Sequence, residues 1–304
     1  MNEKNRLAPL FGSNIDPATQ DAQKPLRWAR IADENGLDLI SIQDHPYNFK
    51  HFETWTLLSA LAASTQRVHV GTNVLSTPLR PPAMLAKQAA TLDVISGGRL
   101  ELGLGAGGYP QGIKAFGGPD WSSSQRFQAL KEYLQIVQGM WENAGGSFSY
   151  SGKFYSVKGV RPGPAPAHAI RIWLGAYGPG MLRLTGRQAH GVLFSKPYAP
   201  PEKLDSYNHL IDEGAQQAGR SPQEIRRGYN LMGVLDIGAS EVNRSDLKSG
   251  QLYGKPKDWV ERILGFYHQQ RMDTFTFWPV AGDEERQIEA FAREVVPAIR
   301  EQLA

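Results

Sequence analysis

The sequence predicts an α/β protein, a closed (β/α)8 barrel of the TIM type with an insertion between strands four and five. Three observations predict it. Strand-like and helix-like segments alternate about eight times, which implies a parallel sheet. The 304 residues, 41% hydrophobic and 21% charged, supply a core large enough for such a barrel. The alternation is interrupted once, by a Gly-, Pro- and aromatic-rich stretch at about 108–168. An open doubly wound sheet is the alternative. No linker, repeat or low-complexity run divides the chain, so 1–304 reads as a single domain.

The elements follow from punctuation and period. Leu7–Asn14 is a short apolar run read as strand one. Pro25–Asn35 has apolar residues at helical spacing and is stopped by Gly36. Leu37–Asp44 is strand two and Phe52–Thr65 a helix. Val68–Leu75 is strand three. Pro82–Ile95 is a helix with proline where a missing N–H does no harm, closed by Gly97-Gly98. Leu100–Gly107 is strand four. Gly108–Ser123 reads as a long loop, Ser124–Glu142 as an amphipathic helix, and Phe148–His168 as a hairpin with a Pro-rich connector. Ile170–Tyr177, Gly191–Ser195, Arg227–Ile237 and Thr274–Pro279 are strands five to eight. Helices at Gly180–Gln188, Pro200–Ala218, Pro256–Gln269 and Glu284–Gln302 follow them.

Composition removes several classes of function. With no cysteine there is no disulfide framework, zinc ribbon, iron–sulfur cluster or thiol catalysis. Lys+Arg 33 against Asp+Glu 30 is too slight and too dispersed an excess for a nucleic-acid surface. The N-terminus does not read as a signal peptide, and no apolar run approaches the ~20 residues of a membrane span. The expectation is a cytoplasmic protein without nucleic-acid or membrane partners. The seven histidines form no HxH or HExxH pattern, so no metal is expected. GxSxG and GxxxxGK[ST] are absent.

In such a barrel the chemistry sits where the strands end. Strand two ends in Asp44-His45, a group that moves protons near neutral pH beside a carboxylate. The same pair also reads as a strand-end cap with a packed ring. Strand three ends near Asn73, Val74 and Ser76. Strand four ends in Gly105, Ala106 and Gly107, inside a GLGAGG run that resembles a dinucleotide fingerprint. A loop follows it instead of a helix, and no strand comes next, which argues against that reading. Its glycines still allow close approach of a flat ligand or a phosphate. Strand five ends in Ala176, Tyr177 and Gly178, leading into a helix whose N–H groups suit an anion. Lys196 follows strand six and Trp278 ends strand eight. Aromatics such as Tyr47, Tyr109 and Phe116 near the mouth suit a planar ring or an apolar substrate, and suit packing as well.

These residues resemble a known superfamily. Gly71–Gly108 (GTNVLSTPLRPPAMLAKQAATLDVISGGRLELGLGAGG), Leu174–Ser195 and the terminal FWPVAGDEERQIEAFAREVVPAIR are similar to the luciferase-like flavin- or F420-dependent oxidoreductases. The resemblance implies a barrel with an insertion after strand four and a non-covalent cofactor over the strand ends. It implies a non-proline cis peptide at Asn73-Val74, with the bulge there against one face of the ring. It implies cofactor contacts from Asp44, Asn73, Val74, Ser76, Gly105, Ala106, Gly107, Ala176, Tyr177 and Gly178, with His45 catalytic and Lys196 and Trp278 towards substrate. Asp-His rather than Glu-His at strand two favours F420, with hydride chemistry on a small organic substrate. The alternatives are an FMN-dependent monooxygenase using O2 and a flavin-binding homologue without turnover. A reductase supplying reduced cofactor and a homodimer are further implications. Two departures stand out. Gly108 replaces the glutamate acid of F420-dependent sugar-phosphate dehydrogenases, and Ala106 the phosphate-binding arginine of light-emitting luciferases.

Overall fold

A computed structural model describes residues 6–238, 242, 245 and 247–304. Its strands are β1 (Leu10–Ile15), β2 (Leu39–Ile42), β3 (His69–Thr72), β4 (Leu75–Ser76), β5 (Leu100–Gly105), β6 (Phe148–Ser151), β7 (Ser156–Val160), β8 (Arg171–Gly175), β9 (Gly191–Ser195), β10 (Arg226–Leu235), β11 (Leu252–Gly254) and β12 (Thr274–Pro279). Its helices are α1 (Lys24–Glu34), α2 (Thr54–Ser64), α3 (Pro82–Ser96), α4 (Pro110–Ala115), α5 (Ser123–Glu142), α6 (Pro179–Gln188), α7 (Pro201–Gln217), α8 (Pro256–Gln270), α9 (Glu284–Ala290) and α10 (Val296–Leu303).

Eight strands close the barrel. Parallel pairing runs β10-β12-β1-β2-β3-β5-β8-β9, and β9 pairs β10 to complete the ring. The open-sheet alternative is thereby removed. The strands are nearly continuous buried runs, as parallel strands covered on both faces must be. Local sequence fixes the helix ends. α3 stops at Gly97, whose φ of 74° is the left-handed cap geometry. Ser122 caps α5 in a reciprocal capping box with Gln125. The hairpin β6–β7 is the antiparallel part of the insertion.

Several expectations need correction. The stretch Gly108–Ser123 is not all loop, because Pro110–Ala115 form α4, with proline at its start. Strand three is not continuous: it breaks at the cis Asn73-Val74 peptide, and β4 resumes against β5. Strand β11 was not anticipated, being three residues long. The last helix is α9 and α10 joined through a π turn at Phe291–Val295. The remaining strand ends shift by a few residues, as in β2, which spans only Leu39–Ile42 and leaves Asp44 and His45 in the connection beyond it.

The end of the barrel where the strands begin is tied by buried polar contacts. Arg99 donates to Ala62, Thr65, Val68 and Ser96 oxygens. Asp33 accepts the N–H groups of Gln66, Arg67 and Val68 ahead of β3. That end is built for stability, which leaves the opposite end for function.

Candidate active site at the C-terminal mouth

The mouth is organised by Asp44. Its carboxylate is buried and accepts the Ser76 N–H at 2.8 Å and two Arg80 N–H bonds at 2.5 and 3.2 Å. Arg80 also donates to Glu53 at 2.7 Å. Glu53 in turn caps α2 through the N–H groups of Trp55 and Thr56. The connection after β2, the bulge after β3 and the start of α2 are thus fastened to one cluster.

With Asp44 so engaged, the next residue is free to face the mouth. His45 keeps an exposed edge while its ring packs 5.5 Å from Tyr47 and 6.3 Å from His51. Its Nδ1 lies 2.7 Å from the Tyr47 hydroxyl. Loss of water, and then the neighbouring His51, hold its pKa below the usual histidine value against the opposing pull of Asp44. Burial pushes the Tyr47 hydroxyl up to about 12. Both groups are therefore neutral at pH 7. Tyr47 meets Tyr109 edge-on at 4.8 Å, and Gly112 of α4 leaves room for both rings, since a Cβ there would lie 2.5 Å from each.

Val74, on the bulge after β3, lies against β5 and β8. A Cβ on Gly105 or on Gly175 would stand 2.8 Å from its Cγ2, and one on Gly103 3.1 Å from its Cγ1. Three glycines on two neighbouring strands thus form the cradle that admits this one side chain. Among the described residues, several buried polar atoms have no hydrogen-bond partner, including Asn14 Nδ2, Asn73 Nδ2, Ser76 Oγ and, from α5, Tyr133 Oη. Burying such atoms unpaired is costly. Three of the four sit at or just past the ends of β1, β3 and β4, where a bound ligand can satisfy them.

The remaining candidates divide. Gly107 adopts a left-handed φ of 91°, and Gly108 faces open space. Ala106 is half-buried and packs on the core, and Ala176 is fully buried. The Tyr177 hydroxyl accepts the Ser195 N–H at 3.3 Å, and its ring meets Phe194 and Tyr198. Gly178 precedes α6, whose first N–H groups have no side-chain cap. Lys196 is turned aside, with Nζ on the Gly250 carbonyl at 3.0 Å. Trp278 is half-buried in β12, in register with Met232, and no hydrogen bond or ring contact joins it to the other candidates among the described residues.

Sequence reasoning missed Arg80, Glu53 and Tyr133, and counted Tyr47 only as an aromatic. Arg80 stands 36 positions from Asp44, a separation that carries no periodic signal. Glu53 was the most legible of them, since an acceptor just before a helix is a cap signature.

The family model described as luciferase-like monooxygenase matches residues 7–273. The chain belongs to the luciferase-like monooxygenase family. A curated member, the F420-dependent glucose-6-phosphate dehydrogenase of Microbacterium testaceum (strain StLB037), is 33% identical over 222 residues, covering 71% of this chain. The match spans 65% of that relative's length. Among solved structures, an F420-dependent secondary alcohol dehydrogenase in complex with an F420-acetone adduct aligns with a TM-score of 0.85 at 18% identity, covering 97% of this chain and 100% of that one. A riboflavin lyase with modified FMN and riboflavin aligns at 0.82 with 16% identity, covering 97% and 92%. At such identities these two likenesses establish the fold shared by luciferase-like proteins. The membership also disposes of the dinucleotide reading of GLGAGG. A short helix does follow those glycines, but the next long elements are α5 and the β6–β7 hairpin rather than a parallel strand.

Proposed function

We propose that the protein is an F420-dependent oxidoreductase acting on a small organic substrate, with His45 as the proton-transferring group. One observation carries this most directly: His45, with Nδ1 on the Tyr47 hydroxyl, stands just past the end of β2, at the same end of the barrel as buried polar atoms of Asn14, Asn73 and Ser76 that have no partner among the described residues. Those atoms fit a deazaflavin or flavin, whose ring edge carries amide N–H and carbonyl groups. When bound, F420 supplies two-electron hydride transfer. Asn14, Asn73 and Ser76, whose buried polar atoms lack partners among the described residues, would bind its ring. Val74 would support the ring, with Gly105, Ala106 and Ala176 bordering its site. Gly107, Tyr177 and Gly178 flank the path of its side chain, and the uncapped start of α6 suits a phosphate. Asp44 acts through the backbone of Ser76, since Arg80 occupies its carboxylate.

The curated relatives with F420 in their names favour F420 over FMN. Glucose 6-phosphate does not carry over with them. Gly108 offers no acid, and Lys196 is held by a backbone carbonyl rather than aimed at a phosphate. An alcohol, imine or activated alkene suits the aromatic mouth better, with Trp278 at its rim. A homodimer and a separate reductase that regenerates the reduced cofactor, both in the cytoplasm, complete the proposal by likeness to the family.

Fluorescence titration of the purified protein with F420 and with FMN tests the reading. Tight F420 binding supports it, and FMN binding alone moves the assignment to a monooxygenase. Binding of neither sinks it. His45→Ala that still binds F420 but has lost turnover separates an enzyme from a flavin-binding homologue.

A further inference from the structure

We propose that Tyr47 sets the working tautomer of His45, donating its hydroxyl proton to Nδ1 so that Nε2–H is the proton-giving edge at the mouth. This rests on the oxidoreductase reading and deepens it by assigning the site to substrate reduction.

The 2.7 Å contact joins one imidazole nitrogen to one phenol oxygen, and two neutral groups share a single proton there. The Tyr47 hydroxyl has no other partner among the described residues, so donating to Nδ1 satisfies it completely. Were Nδ1 to donate instead, the half-buried phenol O–H would have no protein acceptor among the described residues. Among the described residues no carboxylate hydrogen-bonds the ring. Asp44, its chain neighbour, is closed off by Arg80 and Ser76, so the usual aspartate orientation of a catalytic histidine is absent. Tyr47 itself is clamped between Tyr109 and the α4 backbone at Gly112. A phenol thus occupies the orienting role.

The consequence is a proton path in which the imidazole need not carry charge. As hydride reaches the carbon of a carbonyl or imine, its oxygen or nitrogen takes the Nε2 proton. Nδ1 would take the Tyr47 proton in the same event; once product leaves, Nε2 would take a proton from solvent and Nδ1 return its own to Tyr47, so that one solvent proton is consumed per turnover and both groups are restored. The C=O or C=N π bond breaks, a C–H bond and an O–H or N–H bond form, and reduced F420 is the two-electron donor. The neutral resting histidine is already the acid this requires. It also supplies the proton that no carboxylic acid at Gly108 can give. Tyr47 is a positioning and relay residue in this scheme, since it touches His45 rather than substrate.

Nitrogen NMR of protein carrying 15N-labelled histidine, recorded with and without F420, tests it. At pH 7.5 His45 is expected to show a protonated Nε2 and an unprotonated, hydrogen-bonded Nδ1. In Tyr47→Phe the Nδ1 signal should move to that of a free ring nitrogen and the His45 titration midpoint should rise, because the neutral ring loses its donor. Replacing Tyr47 by 3-fluorotyrosine, a more acidic phenol, should move the midpoint the other way. A packing role alone would leave it in place. F420 affinity should stay within about threefold in both variants. A proton found on Nδ1, or signals that ignore both replacements, overturns the proposal. Wild-type protein with the expected His45 signals but no F420 binding leaves the tautomer assignment standing and refutes the cofactor reading instead.

Discussion

Arg80 closes over Asp44 with two N–H bonds, at 2.5 and 3.2 Å, so the first acidic residue after strand β2 is spent on structure. The pair is almost fully withdrawn from water, with the Asp44 side chain 0% and the Arg80 side chain 13% exposed. Removing one member of such a pair leaves the other charge buried, at a cost of about 3–5 kcal/mol. Asp44→Ala is expected to fall near the lower figure, since Glu53 still receives Arg80. In a double-mutant cycle with Arg80→Ala, read by urea unfolding, the two losses should be clearly less than additive. Additive losses would show that the pair is not coupled.

The Val74 cradle makes a second expectation. In Gly175→Ala the new methyl stands 2.8 Å from Val74 Cγ2, an overpacking worth about 1–3 kcal/mol. Combined with Val74→Ala, the same substitution should cost much less than the sum of the two, because the obstructing methyl groups are gone. Unfolding midpoints of the two single variants and the double variant decide it.

Ser76 Oγ offers a test in which stability and binding part company. Its oxygen is buried without a partner in the free protein, so Ser76→Ala should leave the melting temperature unchanged or slightly raised. If the bound cofactor supplies the missing partner, affinity for F420 should fall about tenfold, the worth of one hydrogen bond. Unchanged affinity would remove Ser76 from the binding set.

Acid should weaken the fold through partly buried histidines whose pKa the fold lowers. His190 Nδ1 accepts the Ile172 N–H at 3.0 Å, and burial, then Arg220, lowers its pKa. His45 and His51 are shifted the same way. Below about pH 6.5 the unfolded chain binds protons that the folded one refuses, so stability present above that pH is lost as pH falls towards the folded values. The melting temperature should drop between pH 7 and pH 5. His190→Asn, which keeps an acceptor without a titrating group, should flatten that drop.

The sequence by itself determined the repeating architecture and which residues stand near the strand ends. Hydrophobic period and Gly/Pro punctuation are local properties, and they suffice to count eight strand–helix units and to place Asp44, His45, Val74 and Ser76 near strand ends. The cis Asn73-Val74 peptide was legible only through family likeness, since no local pattern marks it. Helix α4 escaped because six residues in a Gly- and Pro-rich stretch show less than two turns of periodicity. Only the tertiary structure decided what each strand-end residue does. Arg80 and Asp44, Val74 and Gly175, and Lys196 and Gly250 lie far apart in the chain, and the closing of the barrel brings them into contact. Asp44 was read as a partner for the cofactor and is the anchor of Arg80, whereas Tyr47 was read as one aromatic among several and holds the ring of His45. Side-chain type is written in the sequence, but which hydrogen bonds a side chain has left to offer is settled only once its neighbours are in place.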